Sequence, residues 1–175
     1  MSRQRIIIDC DPGQDDAVAL FLAMASPDEL DILGISAVAG NVQLELTQRN
    51  ERLMCVIAGH GDIPVFAGCD RPMVRNLLTA EKVHGKTGID GLDIVEPQTP
   101  LLEQHAVDFI VETLRAAEDE SVTLVPTGPL TNLGTVIDRA PDVLPKIRQL
   151  VIMGGAMREG GNYSPSAEFN ILVDP

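Results

Sequence analysis

Continuous apolar runs that end in polar turns, alternating with stretches of helical spacing, restrict this chain more than any other feature of its sequence. Residues 5–9 form the first run, and an uninterrupted run of that length marks a strand buried on both faces of a parallel sheet. Residues 15–25 have helix-favouring composition and begin with Asp15 and Asp16, two carboxylates beside the positive end of the helix dipole, while Ser26-Pro27-Asp28 ends the helix. A second strand is predicted over 30–38, closed by Ala39-Gly40-Asn41, after which Leu46, Leu53, Met54 and Ile57 recur at helical spacing up to Gly59. A short strand at 63–68 precedes residues 69–100, which carry many Gly, Pro and charged residues without periodicity and read as a long functional or mobile loop.

The alternation then resumes. Ala106, Phe109, Ile110, Thr113 and Leu114 form a helical stripe, and residues 122–125 form a strand followed by the turn Pro126-Thr127-Gly128-Pro129. Thr131 is the expected N-cap of a helix that stops before Pro141, and a further buried strand is predicted at 149–153. Glu168 and Asn170 bracket Phe169 in a last apolar segment read as a strand, which puts both polar groups on one face. This order predicts a single α/β domain over residues 1–175, an open, mostly parallel, doubly wound (Rossmann-like) sheet with right-handed crossovers. Asp174-Pro175 has the form of a helix start, so the domain is expected to be truncated at its C-terminus.

Charge narrows the partners. With 13 Lys+Arg against 26 Asp+Glu the net charge is -13, which repels nucleic acid and anionic membranes and favours a cation or a neutral polar ligand. No apolar run approaches the ~20 residues of a membrane span, and the opening residues lead into Ile6-Ile7-Ile8 rather than a signal-peptide core. Cys10, Cys55 and Cys69 lack C-x-x-C spacing, so reduced thiols in a cytoplasmic protein are expected and structural zinc is not.

The densest chemical signal is Asp9-Cys10-Asp11-Pro12-Gly13-Gln14-Asp15-Asp16. Asp9 and Asp11 project to the same side of a strand end, and the Pro-Gly turn can bring Asp15 and Asp16 back towards them. Carboxylates so close repel unless a cation or hydrogen-bond donors compensate, and oxygen ligands select a hard ion, with room for several oxygens pointing to Ca²⁺. The bland alternative is a solvated turn whose acids cap a helix. An EF-hand fails at Gly13, Gln14 and Leu20; a haloacid-dehalogenase-type phosphatase, with Asp9 as nucleophile, departs at Gly13; Gly85-Lys86-Thr87 lacks the earlier glycine of a P-loop, where Ala80 stands. Cys10, between two acids, reads as a small buried residue, and His60 and His105 as loop and helix surface.

This acidic segment with Ala17 resembles the signature of the inosine-uridine-preferring nucleoside hydrolases. Ala39-Gly40-Asn41, Val83-His84-Gly85, Pro126-Thr127-Gly128-Pro129-Leu130-Thr131-Asn132, Met153-Gly154-Gly155-Ala156, Asn162 and Glu168-Phe169-Asn170 agree with it, in order, across essentially the whole chain. The resemblance implies a Ca²⁺-dependent homo-oligomer, dimer or tetramer, that hydrolyses the N-glycosidic bond of purine or pyrimidine ribonucleosides to ribose and free base. By the same resemblance Asp11 is general base to a Ca²⁺-bound water and also a ligand, with Asp16 and the Thr127 carbonyl as further ligands. Asp15, Asn41, Asn162, Glu168 and Asn170 hold the ribose hydroxyls, Asp9 is an adjacent supporting acid, and His84 is a loop histidine near the nucleobase. The family's remaining length supplies one more Asp ligand and often a histidine near the leaving base. The isolated 175 residues are therefore expected to turn over weakly or not at all, the alternative being a catalytically silent Ca²⁺- or ribose-binding fragment.

Overall fold

The computed structural model describes residues 3–91 and 95–175. Its centre is β1 (Gln4–Cys10), which pairs in parallel with β2 (Leu30–Ala37) on one side and with β5 (Val122–Pro126) on the other. β3 (Val65–Ala67), β4 (Leu101–Leu102) and β6 (Ile147–Leu150) complete an all-parallel sheet of order β4-β3-β2-β1-β5-β6. The connections run outward from β1 to β4, then return to β5 and run outward the other way. Open parallel sheets bind ligands where the winding reverses, at the carboxyl ends of the two strands concerned, here β1 and β5.

Helices cover both faces. Successive side chains of β1 alternate, so Ile7 packs with Leu124, Phe109, Leu114 and Val136 on one side, while Ile6 and Ile8 pack with Leu20, Met54 and Leu53 on the other. The first face is closed by α4 (Ala106–Arg115) and α5 (Thr131–Arg139), the second by α1 (Gln14–Met24) and α2 (Leu44–Ile57). Side chains buried as fully as Leu114 each contribute about 1.5–3 kcal/mol. Phe109 of α4 stacks on Phe66 of β3 with ring centroids 3.9 Å apart, and Gly34 leaves room for that ring, since a Cβ there would lie 2.6 Å from Phe109 Cζ.

Several sequence expectations change. Residues 149–153 do not form a buried strand: β6 begins at Ile147, is the edge strand of the sheet among the described residues, and Leu150, Val151, Ile152 and Met153 are each at least 40% exposed. Residues 169–173 are helical, α6 (Phe169–Val173), because the Glu168 carboxylate accepts the backbone N–H groups of Asn170 and Ile171 as an N-cap, and Phe169 and Val173 share a buried face with Ala80. Leu130, not Thr131, precedes the first turn of α5, and His105 caps α4 by accepting the N–H of Val107. The loop at 69–100 carries one helical turn, α3 (Glu81–His84), ended by Gly85 at φ 81°, a conformation that favours glycine. Residues 92–94 of that loop and the first two residues of the chain lie outside the described residues.

Candidate active site

Beyond the carboxyl ends of β1 and β5 lies a cleft of about 360 Å³. Every residue singled out from the sequence except Asp9 lines it: Asp11, Asp15, Asp16 and Asn41 on one side, Thr127, Asn162, Glu168 and Asn170 on the other, and His84 with α3 above. Thr79, Lys82, Val83, Met153, Tyr163 and Phe169 add further wall, and of these Val83, Met153 and Phe169 lay in segments already marked.

The floor is built by the acidic turn. Asp11 is 1% exposed, and its Oδ2 accepts the Asn41 N–H at 2.6 Å, while the Asn41 side chain donates to the Asp11 carbonyl at 2.9 Å. The other oxygen, Oδ1, is buried without any hydrogen-bond partner. Two glycines crowd this carboxylate: a Cβ on Gly40 would lie 2.8 Å from Asp11 Cγ, and one on Gly128 would lie 2.6 Å from Oδ1. Asp16, in the first turn of α1, is also buried, whereas Asp15 is exposed to the cleft.

Opposite stands the turn after β5. The Thr127 N–H donates to the Asp9 carbonyl at 2.8 Å, and the Thr127 carbonyl accepts from Asn170 Nδ2 at 2.7 Å. Glu168 is committed to the backbone, accepting from Gly155, Asn170 and Ile171, and Asn162 Oδ1 accepts the Phe169 N–H at 2.8 Å. At the rim, His84 Nδ1 lies 2.7 Å from Gln14 Oε1. Asp9 sits beneath the cleft, 5% exposed, with Oδ1 taking hydrogen bonds from Ser36 and from Asn132 Nδ2. An acid tied down in this way does not reach the cleft, which removes the phosphatase reading with Asp9 as nucleophile. Ser36, inside the strand predicted over 30–38, and Asn132, inside a marked segment, escaped assignment of a role because a buried hydroxyl or amide has no periodic signature.

Burial dominates the electrostatics. It pushes Asp9 up to about 6, held from rising further by the bonds from Asn132 and Ser36, and pushes Asp16 up to about 7. Burial, reinforced by the neighbouring Asp16 charge, raises Asp11 well above the usual carboxylate range. Among the described residues no three His, Cys, Asp or Glu side chains converge on one point. A cation would instead take the Asp11 and Asp16 carboxylates with the Thr127 carbonyl. That set fits a hard ion, because all its donors are oxygens and because Asp11 Oδ1 is an orphaned buried acceptor beside the Thr127-Gly128 turn.

A stability trend follows. In the folded chain these carboxyls hold protons that the unfolded chain releases near 3.8, so raising the pH through about 6 to 7 favours the unfolded state. In EDTA, melting temperature is expected to fall between pH 5 and pH 8, and excess Ca²⁺ to remove or reverse that fall by replacing the protons. Parallel melts at several pH values check this, and a metal-free melting temperature that rises over the same interval would contradict it.

A family model described as inosine-uridine preferring nucleoside hydrolase matches residues 6–175. An uncharacterized protein of Schizosaccharomyces pombe is 48% identical over 171 residues, 98% of this chain and 55% of its own length. The pyrimidine-specific ribonucleoside hydrolase RihB of Escherichia coli is 46% identical over 176 residues, 100% of this chain and 55% of its own. Among solved structures, the plant nucleoside hydrolase PpNRh1 superposes with a TM-score of 0.93 at 34% identity, over 99% of this chain and 55% of that one. A purine-preferring ribonucleoside hydrolase from Gardnerella vaginalis gives 0.91 at 31% identity, over 98% and 55%. The chain thus spans about half the length of the proteins it matches.

Proposed function

Because the chain belongs to the inosine-uridine preferring nucleoside hydrolase family, we propose that its cleft binds a ribonucleoside and hydrolyses the N-glycosidic bond to ribose and free base with the help of Ca²⁺. The observation that carries this reading is the orphaned Asp11 Oδ1, buried at the cleft floor beside Thr127 and Asp16. Asp11, Asp16 and the Thr127 carbonyl would hold the ion, with any other ligands outside this set. When bound, Ca²⁺ supplies Lewis acidity towards the attacking water.

The remaining chemistry belongs to the chain. Burial and the Asp16 charge shift Asp11 towards its protonated form; a positive charge beside it would favour the carboxylate, which can take a proton from water. The oxygen of that water attacks the anomeric carbon, the C–N bond breaks with its electron pair leaving on the base, and the base nitrogen takes up a proton from solvent while Asp11 releases the one it removed, so that water is added across the bond. Positive charge builds on the sugar as the bond stretches, and the acidic cleft stabilises it. Asp15, Asn41, Asn162, Glu168 and Asn170 are assigned to the ribose face, where each hydroxyl left without its partner would cost about 1–3 kcal/mol and so disfavour a deoxyribose. His84 is assigned to the base side, steadied by Gln14. Asp9 is a supporting acid beneath the floor.

A second reading, a unit that binds cation and ribose without turnover, draws on the exposed Val151, Ile152 and Met153 beside the cleft, an apolar edge that a second copy in a homo-oligomer would cover. Release of free base from inosine and uridine by the chain, with and without excess EDTA and alongside intact mass, separates the two. EDTA-sensitive release is the result expected of the hydrolase. Ca²⁺-dependent thermal stabilisation without release would support the silent unit, and absence of both would remove the ion from either reading.

A further inference from the structure

We propose that Asn132 is a positioning residue for this site, an amide that ties the carboxyl ends of β1, β2 and β3 together so that Asp11 and the Thr127 carbonyl face one point. The inference rests on the reading that these two groups hold a cation. Asn132 is the second residue of α5 and is fully buried. Its Nδ2 donates to Asp9 Oδ1 at 2.8 Å and to the carbonyl of Ala37, the last residue of β2, at 3.0 Å. Its Oδ1 accepts the N–H of Cys69, just past β3, at 2.8 Å. Both amide donors and the acceptor are thus in use, each on a different strand end.

The link to Thr127 runs through Asp9. The Asp9 carbonyl accepts N–H groups from Thr127 at 2.8 Å and from Gly128 at 3.4 Å. The Gly128 N–H shares its peptide plane with the Thr127 carbonyl, and in a trans peptide the two point in opposite directions. Anchoring the N–H on Asp9 therefore turns the carbonyl away from Asp9, into the cleft that Thr127 lines. Asp11 follows Asp9 by two residues on the same strand end, so fixing Asp9 also fixes the origin of the acidic turn. The packing admits little else: a Cβ on Gly68 would run into the Asn132 amide and lie 2.6 Å from the Ala37 carbonyl. Aspartate at 132 could still accept from Cys69, but as a carboxylate it has no proton for Asp9 or Ala37, and even when protonated it has only one where Asn132 supplies two.

That polarity supplies the test. Asn132→Asp is expected to weaken Ca²⁺ binding about 10- to 100-fold, as loss of supporting contacts around a metal site does. The exchanged pair Asp9→Asn with Asn132→Asp restores a donor and an acceptor facing each other but not the bond to the Ala37 carbonyl, and is expected to recover affinity about threefold or more over the single variant without reaching that of the original chain. Ca²⁺ titration by calorimetry, with melting temperature in EDTA measured separately, distinguishes positioning from support of the fold alone. A lower melting temperature with unchanged Ca²⁺ affinity would overturn the proposal, as would an exchanged pair that folds but stays as weak as the single variant. Asn132→Ser, with one donor left, is the milder variant should Asn132→Asp fail to fold, and an affinity equal to the original chain's would count equally against the idea. Failure of the original chain to bind Ca²⁺ would instead overturn the cation reading and this inference with it.

Discussion

Asp11→Ala is expected to abolish cation-dependent base release, with kcat down by about 10³-fold or more. A general base alone contributes about 10²–10⁴-fold, and the same substitution also removes a proposed ligand and leaves the Asn41 N–H without its acceptor. Loss of the fold would not explain such a result. The Asp11 carboxyl is 1% exposed, carries an oxygen with no partner, and is pressed towards the protonated form by burial and by Asp16. Removing it relieves that conflict and offsets the lost Asn41 bond, so the variant should still be folded in EDTA, with a melting temperature close to that of the original chain. Asp11→Asn refines the comparison, because it retains an oxygen for Asn41 but cannot take a proton from water. Steady-state assay with inosine and uridine on a family member carrying either substitution would decide the matter, and retention of kcat would remove Asp11 from the mechanism.

Gly40→Ala is the second large effect, produced by a single methyl group. Gly40 is not needed for an unusual backbone angle, since its φ lies outside the positive region. It is needed for space. The added Cβ would lie 2.8 Å from Asp11 Cγ and 2.8 Å from Pro129 Cγ, so the carboxylate, the proline of the facing turn, or both must shift. Overpacking of this kind costs about 1–3 kcal/mol of stability, yet displacing a reacting group by about 1 Å can cost 10²-fold in rate. The expected result is therefore a folded protein with base release down about 10²-fold and weakened Ca²⁺ binding. Gly128→Ala presses on Asp11 Oδ1 from the other side and should behave similarly. Wild-type kcat in both variants would mean that Asp11 is not held where the reaction needs it.

Much of this could be read before any coordinates. Buried parallel strands announce themselves as unbroken apolar runs, which is why β1, β2 and β5 were legible; β4, two residues long, carries too little pattern to be seen. The edge position of β6 was not legible, because hydrophobicity says that a segment prefers burial and not whether a neighbour is there to bury it. Phe169-Asn170-Ile171-Leu172-Val173 misled for another reason. Its β-branched and aromatic residues favour a strand, but the preceding Glu168 supplies the acceptors that two free N–H groups need, and that local bond tips a short segment into a helix. The cleft-lining carboxylates and asparagines were legible because they follow strand ends in recognisable segments. Asn132 lay inside one of those segments, yet its partners Asp9, Ala37 and Cys69 are far away in sequence, and no local reading could have supplied them.

The pairing of β1 with β5 also sets an order of events. During synthesis β1 finds β2 soon, but its other edge stays open until residues 122–126 have been made. Thr127 comes immediately after, and Asn170, which grips its carbonyl, follows 43 residues later. Contacts so distant along the chain close slowly. The cleft therefore closes after the strands that carry it, and an ion bound there would lock a sheet already paired rather than seed it. Refolding rate should then be indifferent to Ca²⁺ while unfolding slows in its presence.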